Sequence, residues 1–115
     1  MASGTTVAEI RQHKREQHLS RLQAEAKQLI DSHPGGSLWL FGSLARGDWD
    51  AYSDVDMLAV APTPVEADQL ADAVLSKQLA DDVIALCTSE WDRRAASKDP
   101  YWQAISRDAR CLAKG

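Results

Sequence analysis

The residues best suited to chemistry lie together in one stretch, FGSLARGDWDAYSDVDMLAV, which contains the aspartates Asp54 and Asp56. Side chains two positions apart in a strand point to the same face, so we expect both carboxylates to project together from the start of one strand. Two carboxylates that lie this close repel each other unless a cation lies between them. Mg²⁺ is the natural cation because it prefers oxygen ligands and leaves positions open for water and substrate phosphate. The pair therefore predicts a magnesium site.

An anion site is predicted just upstream, where Gly42 and Ser43 occupy an expected strand-to-helix junction. Backbone N–H groups are unpaired at such a junction, a glycine lets a phosphate approach the backbone, and a serine hydroxyl adds a hydrogen bond. Arg46, one turn later, has the planar set of donors that binds phosphate well. The alternative for Arg46 is a surface ion pair with Asp48 or Asp50, which would contribute little to stability. We therefore expect a phosphate site beside the metal site.

Two-metal phosphoryl or nucleotidyl transfer requires a further carboxylate, and Asp82 is the candidate. It opens the apolar run DVIALC, as Asp54 opens DVDMLAV, so neighbouring strands could bring both to the same end of a sheet. Asp81 is the competitor and would point to the opposite face. We prefer Asp82 because it shares a face with Ile84 and Leu86, although both aspartates could simply solvate the entrance of the strand.

The elements that must position these residues follow from apolar spacing and from helix and turn signals. A long N-terminal helix is expected, capped by Thr5 or Thr6, whose first half, IRQHKREQH, is almost wholly polar and is either solvated or a partner surface. Pro64 starts a later helix with Thr63 as its cap. The predicted order is a helix over 5–32, a strand over 38–41, a short helix from 43, a strand over 54–61, a helix from 64, a strand over 82–87, two helical segments and a short edge strand over 110–113.

This order predicts an α/β domain in which a small mixed sheet is covered by helices on at least one face. The helix between the second and third strands permits a parallel crossover. We expect residues 1–115 to form a single domain, made of an N-terminal helix over 5–32 and a core over 36–113 that carries the motifs.

Composition limits the possible functions of the 115-residue chain. A net charge of −4 argues against a general nucleic-acid binder, which would normally carry a basic surplus. No apolar run approaches the roughly 20 residues that cross a membrane, and the N-terminus lacks the apolar centre of a signal peptide, so we expect a cytoplasmic protein. Cys87 and Cys111 are isolated and lack the C-x-x-C spacing, so the sequence predicts neither a zinc site nor a disulfide framework.

The stretch GSLARGDWDAYSDVDMLAV resembles the signature of the nucleotidyltransferase superfamily, in the form seen in minimal nucleotidyltransferases. Gly-Ser, a ten-residue spacer and Asp-x-Asp form the signature, and DVIALCTSEWDRR is similar to the strand and helix that carry the third acidic residue of the family. The resemblance covers roughly residues 36–113. A bare Asp-x-Asp would be weak evidence, whereas this composite is specific.

The resemblance implies a nucleotidyltransferase (polymerase-β-like) fold, Mg²⁺ at a two-ion site, and ATP or another nucleoside triphosphate as donor. By position, Gly42 and Ser43 would hold the triphosphate, and Arg46 matches the arginine of the motif. Asp54 and Asp56 would bind metal, and Asp82 would complete the acidic set as metal ligand or general base.

For the acceptor, the resemblance implies an antitoxin that transfers AMP to a hydroxyl of a HEPN-type toxin. Two alternatives remain at this point. One is a binding module that neutralises its partner by steric contact. The other is a nucleotidyltransferase for small molecules, of the kind that modifies aminoglycosides.

Overall fold

The computed structural model describes residues 6–46 and 54–115, without the side chain of Ser43. A four-stranded mixed sheet has the spatial order β3-β2-β1-β4, with helices packed on it. In the described ranges the elements are α1 Val7–Asp31, β1 Ser37–Phe41, α2 Ser43–Arg46, β2 Asp56–Ala61, α3 Pro64–Ser76, β3 Asp82–Cys87, α4 Thr88–Ala95, α5 Pro100–Asp108 and β4 Arg110–Lys114. The predicted fold class, a small mixed sheet flanked by helices, is confirmed.

The sheet is antiparallel on both sides of β1 and parallel between β2 and β3. The parallel pair is joined through α3, whose start is fixed by Thr63: the threonine side chain accepts a hydrogen bond from the backbone N–H of Glu66. Proline at the first turn suits the same boundary, since it has no N–H to leave unpaired. The predicted crossover and edge strand are both present.

Helix α1 begins at a capping box in which Thr6 and Glu9 bond to each other's backbone N–H groups. Its 25 residues span about 37 Å. The residues it buries all belong to its second half, at three- and four-residue spacing: Leu19, Leu22, Ala26, Leu29 and Ile30. The first half is largely exposed, as expected from its polar sequence.

The two faces of the sheet are covered by different helices, because alternate side chains of each strand point to opposite faces. One face packs on α1 and α3 through Leu38, Leu40, Met57 and Ala59. The other face carries a second cluster, in which side chains of the sheet meet those of α4 and α5: Trp39, Phe41, Leu58, Val60, Ile84, Leu86, Trp91, Trp102 and Ile105. Both apolar layers hold the central strands β1 and β2 in place.

Strand β2 starts at Asp56, two residues later than the sequence predicts. The reason lies in its neighbours: β1 ends at Phe41, which is the register partner of Asp56, and β3 begins at Asp82, the partner on the other side. Residues before Asp56 therefore have no strand to pair with in the described part of the sheet. The expectation that Asp54 lies inside this strand was wrong.

Candidate active site

Asp56 is the best-defined acidic residue of the predicted site. It opens β2 at one end of the sheet, with Phe41 of β1 on one side and Asp82 of β3 on the other. Its side chain is partly buried, and by strand alternation it shares a face with Leu58 and Val60. Because both neighbouring strands pair with this residue, its position is fixed by the backbone of the sheet.

Asp82 and Asp81, the two candidates for the third acid, have different surroundings. Asp82 is the register partner of Asp56, and partners in a parallel pair point to the same face. Asp81 instead bonds to the backbone of Val55: its carboxylate Oδ2 accepts from the Val55 N–H at 2.7 Å, and its own N–H donates to the Val55 carbonyl at 2.8 Å. The Asp81 carboxylate thus bonds to the backbone just before β2. Asp82 lies beside Asp56.

The carboxylates of this end of the sheet influence one another. The pKa of Asp56 is raised above the ordinary aspartate value, first because burial disfavours the charged form and then because Asp82, Asp54 and Asp81 repel its charge. Asp56 is therefore a partly buried anion held near other anions. A bound cation would offset this penalty. A carboxylate whose charge is disfavoured in this way is what the sequence pattern predicts at a metal site.

Asp54 lies outside β2 and is exposed. Over residues 6–46 and 54–115, no group of three or more His, Cys, Asp or Glu side chains is gathered closely enough to hold a metal ion. The donor set nevertheless has the chemistry that Mg²⁺ prefers, since Asp54, Asp56 and Asp82 supply only carboxylate oxygens. The surroundings of Asp56 also disfavour its negative charge, which a cation would balance. The set would have to close around an ion, and Asp54 is the member that the sheet does not restrain.

Gly42 lies directly against the Asp56 carboxylate. Its backbone is in the left-handed region at φ +80°, and a Cβ placed there would lie 2.9 Å from Asp56 Oδ2. An L side chain would both strain this turn and collide with the carboxylate. The positive φ is the stronger reason for glycine here, since the carboxylate is the movable end of a side chain. The turn predicted to bind phosphate is adjacent to the acid predicted to bind metal.

Helix α2, which follows this turn, is a single helical turn held from several sides. The side chain of Leu44 is fully buried in the core, and its carbonyl accepts two hydrogen bonds from Arg15 of α1, from Nε at 3.2 Å and from Nη2 at 3.0 Å. Arg46 donates from Nη1 to Asp108 Oδ2 of α5 at 3.2 Å. The Arg46 side chain is 44% exposed.

Arg15 was missed by the sequence interpretation, which assigned the first half of α1 to solvent or to a partner. A signal was present: Arg15 lies four residues before Leu19 and seven before Leu22, so it continues the buried stripe by one more turn. A long polar side chain on an apolar stripe often reaches a backbone acceptor at the edge of the core.

Two sequence predictions about the site fall wholly or partly outside the described residues. The hydroxyl of Ser43 is one, and only its backbone position at the start of α2 is described. The alternative pairing of Arg46 with Asp48 or Asp50 also lies outside them.

Cys87 and Cys111 are free thiols. None of the helices in the described ranges is long and apolar enough to cross a membrane.

A mixed sheet in which β2 opens on an acid, between a second acid on β3 and a glycine turn after β1, is the arrangement that the nucleotidyltransferase resemblance predicts. The sequence profile of the nucleotidyltransferase domain matches residues 19–101. The chain belongs to this family.

Solved structures agree with the assignment of the fold. A chain of a mutant of the toxin–antitoxin pair MntA–HpeT, with two aspartates replaced by glutamates, has a TM-score of 0.51 at 15% identity, covering 81% of this chain and 73% of that chain. A chain from Sulfolobus solfataricus that carries a nucleotidyltransferase assignment has a TM-score of 0.50 at 21% identity, covering 98% of this chain and 93% of that chain. A toxin–antitoxin complex with AMP-PNP aligns at a TM-score of 0.48 and 18% identity, covering 76% and 69%. No curated protein shows significant similarity to the chain.

Proposed function

We propose that the protein is an Mg²⁺-dependent nucleotidyltransferase that moves AMP from ATP to a hydroxyl of a protein partner, as the antitoxin of a HEPN-type toxin. One observation carries the proposal: Asp56 lies in register with Asp82 on one side and against the Gly42 turn on the other. Acid pair and turn are the two halves of a site that handles a metal-bound polyphosphate.

In this proposal Asp54, Asp56 and Asp82 hold Mg²⁺, while Gly42 and Ser43 hold the triphosphate. The bound ion would stabilise the negative charge that develops on the phosphate oxygens. Transfer forms a bond between the acceptor oxygen and the α-phosphorus and breaks the bond from that phosphorus to the bridging oxygen, so pyrophosphate leaves.

The hydroxyl proton must also be removed, and Asp82 is the proposed acceptor when it does not act as a ligand. Asp82 is exposed, so an approaching hydroxyl can reach it. Arg46, partly exposed beside the same turn, supplies positive charge toward the triphosphate.

The choice of a protein acceptor has its own support. The signature of residues 42–56 resembles that of minimal nucleotidyltransferases, and a chain of the MntA–HpeT toxin–antitoxin pair shares the fold. Cytoplasmic location and the HEPN identity of the toxin belong to the same proposal.

The test uses the full chain, Mg²⁺, ATP labelled on the α-phosphate, and the protein encoded by the neighbouring gene, which the proposal expects to be a HEPN-type toxin. Label should appear on that protein and disappear when Asp54 and Asp56 are both changed to asparagine. Asp92→Asn changes an exposed aspartate of α4 and serves as the control that removes a carboxylate charge away from the site. Equal labelling by the double variant would refute the catalytic role of the pair, and neutralisation of the toxin without any labelling would favour the steric binding module instead.

A further inference from the structure

The contact between Arg15 and the Leu44 carbonyl joins two segments that are 29 residues apart in sequence. Both donors, Nε and Nη2, reach the same oxygen, and the contact is partly buried. A guanidinium donating twice to one acceptor restricts both the distance and the angle between the two helices.

Helix α2 needs such a restraint because it contains only four residues. One turn cannot stabilise itself, and the carbonyls of its last turn have no intrahelical partner. The Leu44 side chain anchors α2 to the core, but an anchored side chain alone leaves the backbone free to rotate about it. Arg15 fixes the carbonyl of the same residue and so sets the orientation of the backbone.

That orientation matters at Gly42, which immediately precedes α2 and is bonded to it: the Arg46 N–H donates to the Gly42 carbonyl at 3.0 Å. Gly42 faces Asp56, since a Cβ built on it would come within 2.9 Å of the carboxylate oxygen Oδ2. A rotation of α2 would therefore shift the turn either into the carboxylate or away from it.

We propose that Arg15 is a positioning residue for the triphosphate-binding turn, acting through α2 on the backbone of Gly42 and Ser43. The inference rests on the proposed function, because it assumes that this turn holds the triphosphate. It assigns to the polar half of α1 a role within the nucleotide site, in place of solvation or docking alone.

The test measures binding of ATP and of AMP, each with Mg²⁺, by calorimetry on the wild type and three variants. Arg15→Met keeps the apolar stem and removes the donors, Arg15→Lys keeps the charge and one donor group, and Arg11→Met removes an exposed arginine one turn earlier on the same helix. We expect Arg15→Met to weaken ATP binding about tenfold, as the loss of charge-assisted hydrogen bonds allows. Arg15→Lys should recover part of the loss and Arg11→Met should match the wild type.

AMP separates positioning from general loss of structure, because it lacks the outer phosphates that the turn is proposed to hold. Its affinity should fall by less than that of ATP in Arg15→Met. An Arg15→Met protein that binds ATP like the wild type overturns the inference, and so does an equal loss for both nucleotides. If Arg15→Met does not fold, the same criteria apply to Arg15→Lys. A wild type that binds no ATP with Mg²⁺ would instead refute the proposed function, and the inference with it.

Discussion

Replacing Asp56 by asparagine is expected to stabilise the ligand-free protein while it removes the proposed activity. Asp56 is partly buried, stands in register with Asp82 and is also repelled by Asp54 and Asp81. Asparagine has nearly the same shape and carries no charge, so the substitution removes the repulsion and leaves the packing unchanged.

The size of the effect follows from the pairing of Asp56 with Asp82. Favourable side-chain pairs on neighbouring antiparallel strands contribute about 0.2–1 kcal/mol, and we take the same size with the opposite sign for this like-charged parallel pair. Since Asp82 is exposed and water screens the pair, the lower half of this range is the better guide. For a domain of this size 1 kcal/mol changes the Tm by about 4 °C, so Asp56→Asn should raise the Tm by about 1–2 °C at neutral pH.

The dependence on pH has a definite sign. Because the pKa of Asp56 is raised in the folded protein, the folded state holds this proton more tightly than the unfolded chain does. Wild-type stability therefore falls as the pH rises from the ordinary aspartate pKa through the raised value. The advantage of Asp56→Asn should be complete above that window and absent below it.

Thermal unfolding followed by circular dichroism at a series of pH values, with and without Mg²⁺, tests both points. Asp92→Asn is the matched control and should shift the Tm little at any pH, because Asp92 is exposed on α4. Mg²⁺ should raise the Tm of the wild type more than that of Asp56→Asn. A variant less stable than the wild type at neutral pH, or a gain independent of pH, would refute the electrostatic reasoning.

Two further pairs of variants distinguish residues of the proposed site from residues that only stabilise the fold. Gly42→Ala and Gly35→Ala each force an L side chain into a backbone at φ +80° with a contact at 2.9 Å, so both should lose about 1–2 kcal/mol in denaturant unfolding. Only Gly42→Ala should also lose the Mg²⁺-dependent rise in Tm, since the neighbour of Gly35 is Pro62, and an equal Mg²⁺ response in both would contradict the proposed site. Asp81→Ala should cost about 1–3 kcal/mol in the same measurement by leaving a backbone N–H without its partner, yet keep measurable transfer of labelled AMP. Asp82→Ala should keep its stability and lose the labelling, and the opposite pattern would make Asp81 the third acid.

Much of the fold could be predicted because its signals are local. The cap and proline at the start of α3, the capping threonine of α1 and the apolar runs of the strands act within a few residues of where they occur. The parallel crossover also follows, since a helix between two strands leaves the chain heading in its original direction.

The site could be predicted only in part because it depends on register and on long-range contacts. Spacing left Asp82 and Asp81 as alternatives, and what distinguishes their surroundings is a hydrogen bond to Val55, 26 residues from Asp81. Arg15 belonged to a polar run, and its acceptor is a backbone carbonyl on another helix. A sequence displays side-chain types, but every residue has a carbonyl, so the pattern cannot say which one an arginine will reach.

Asp54 and Asp56, which the sequence presents as an equivalent pair, are different in the fold. Strand pairing on both sides holds Asp56 in place, partly buried and beside other carboxylates, and its pKa is raised first by that burial and then by their charges. Asp54 is exposed and unpaired by any strand in the described ranges, and it can turn toward water at little cost. Because Asp54 is not held in place, the carboxylates at this end of the sheet influence the pKa of Asp56 but are not gathered into a metal-binding group in the described ranges. Asp56 would then provide the fixed ligand and Asp54 the adjustable one, so Asp54→Asn should weaken Mg²⁺ binding and leave the Tm of the metal-free protein almost unchanged.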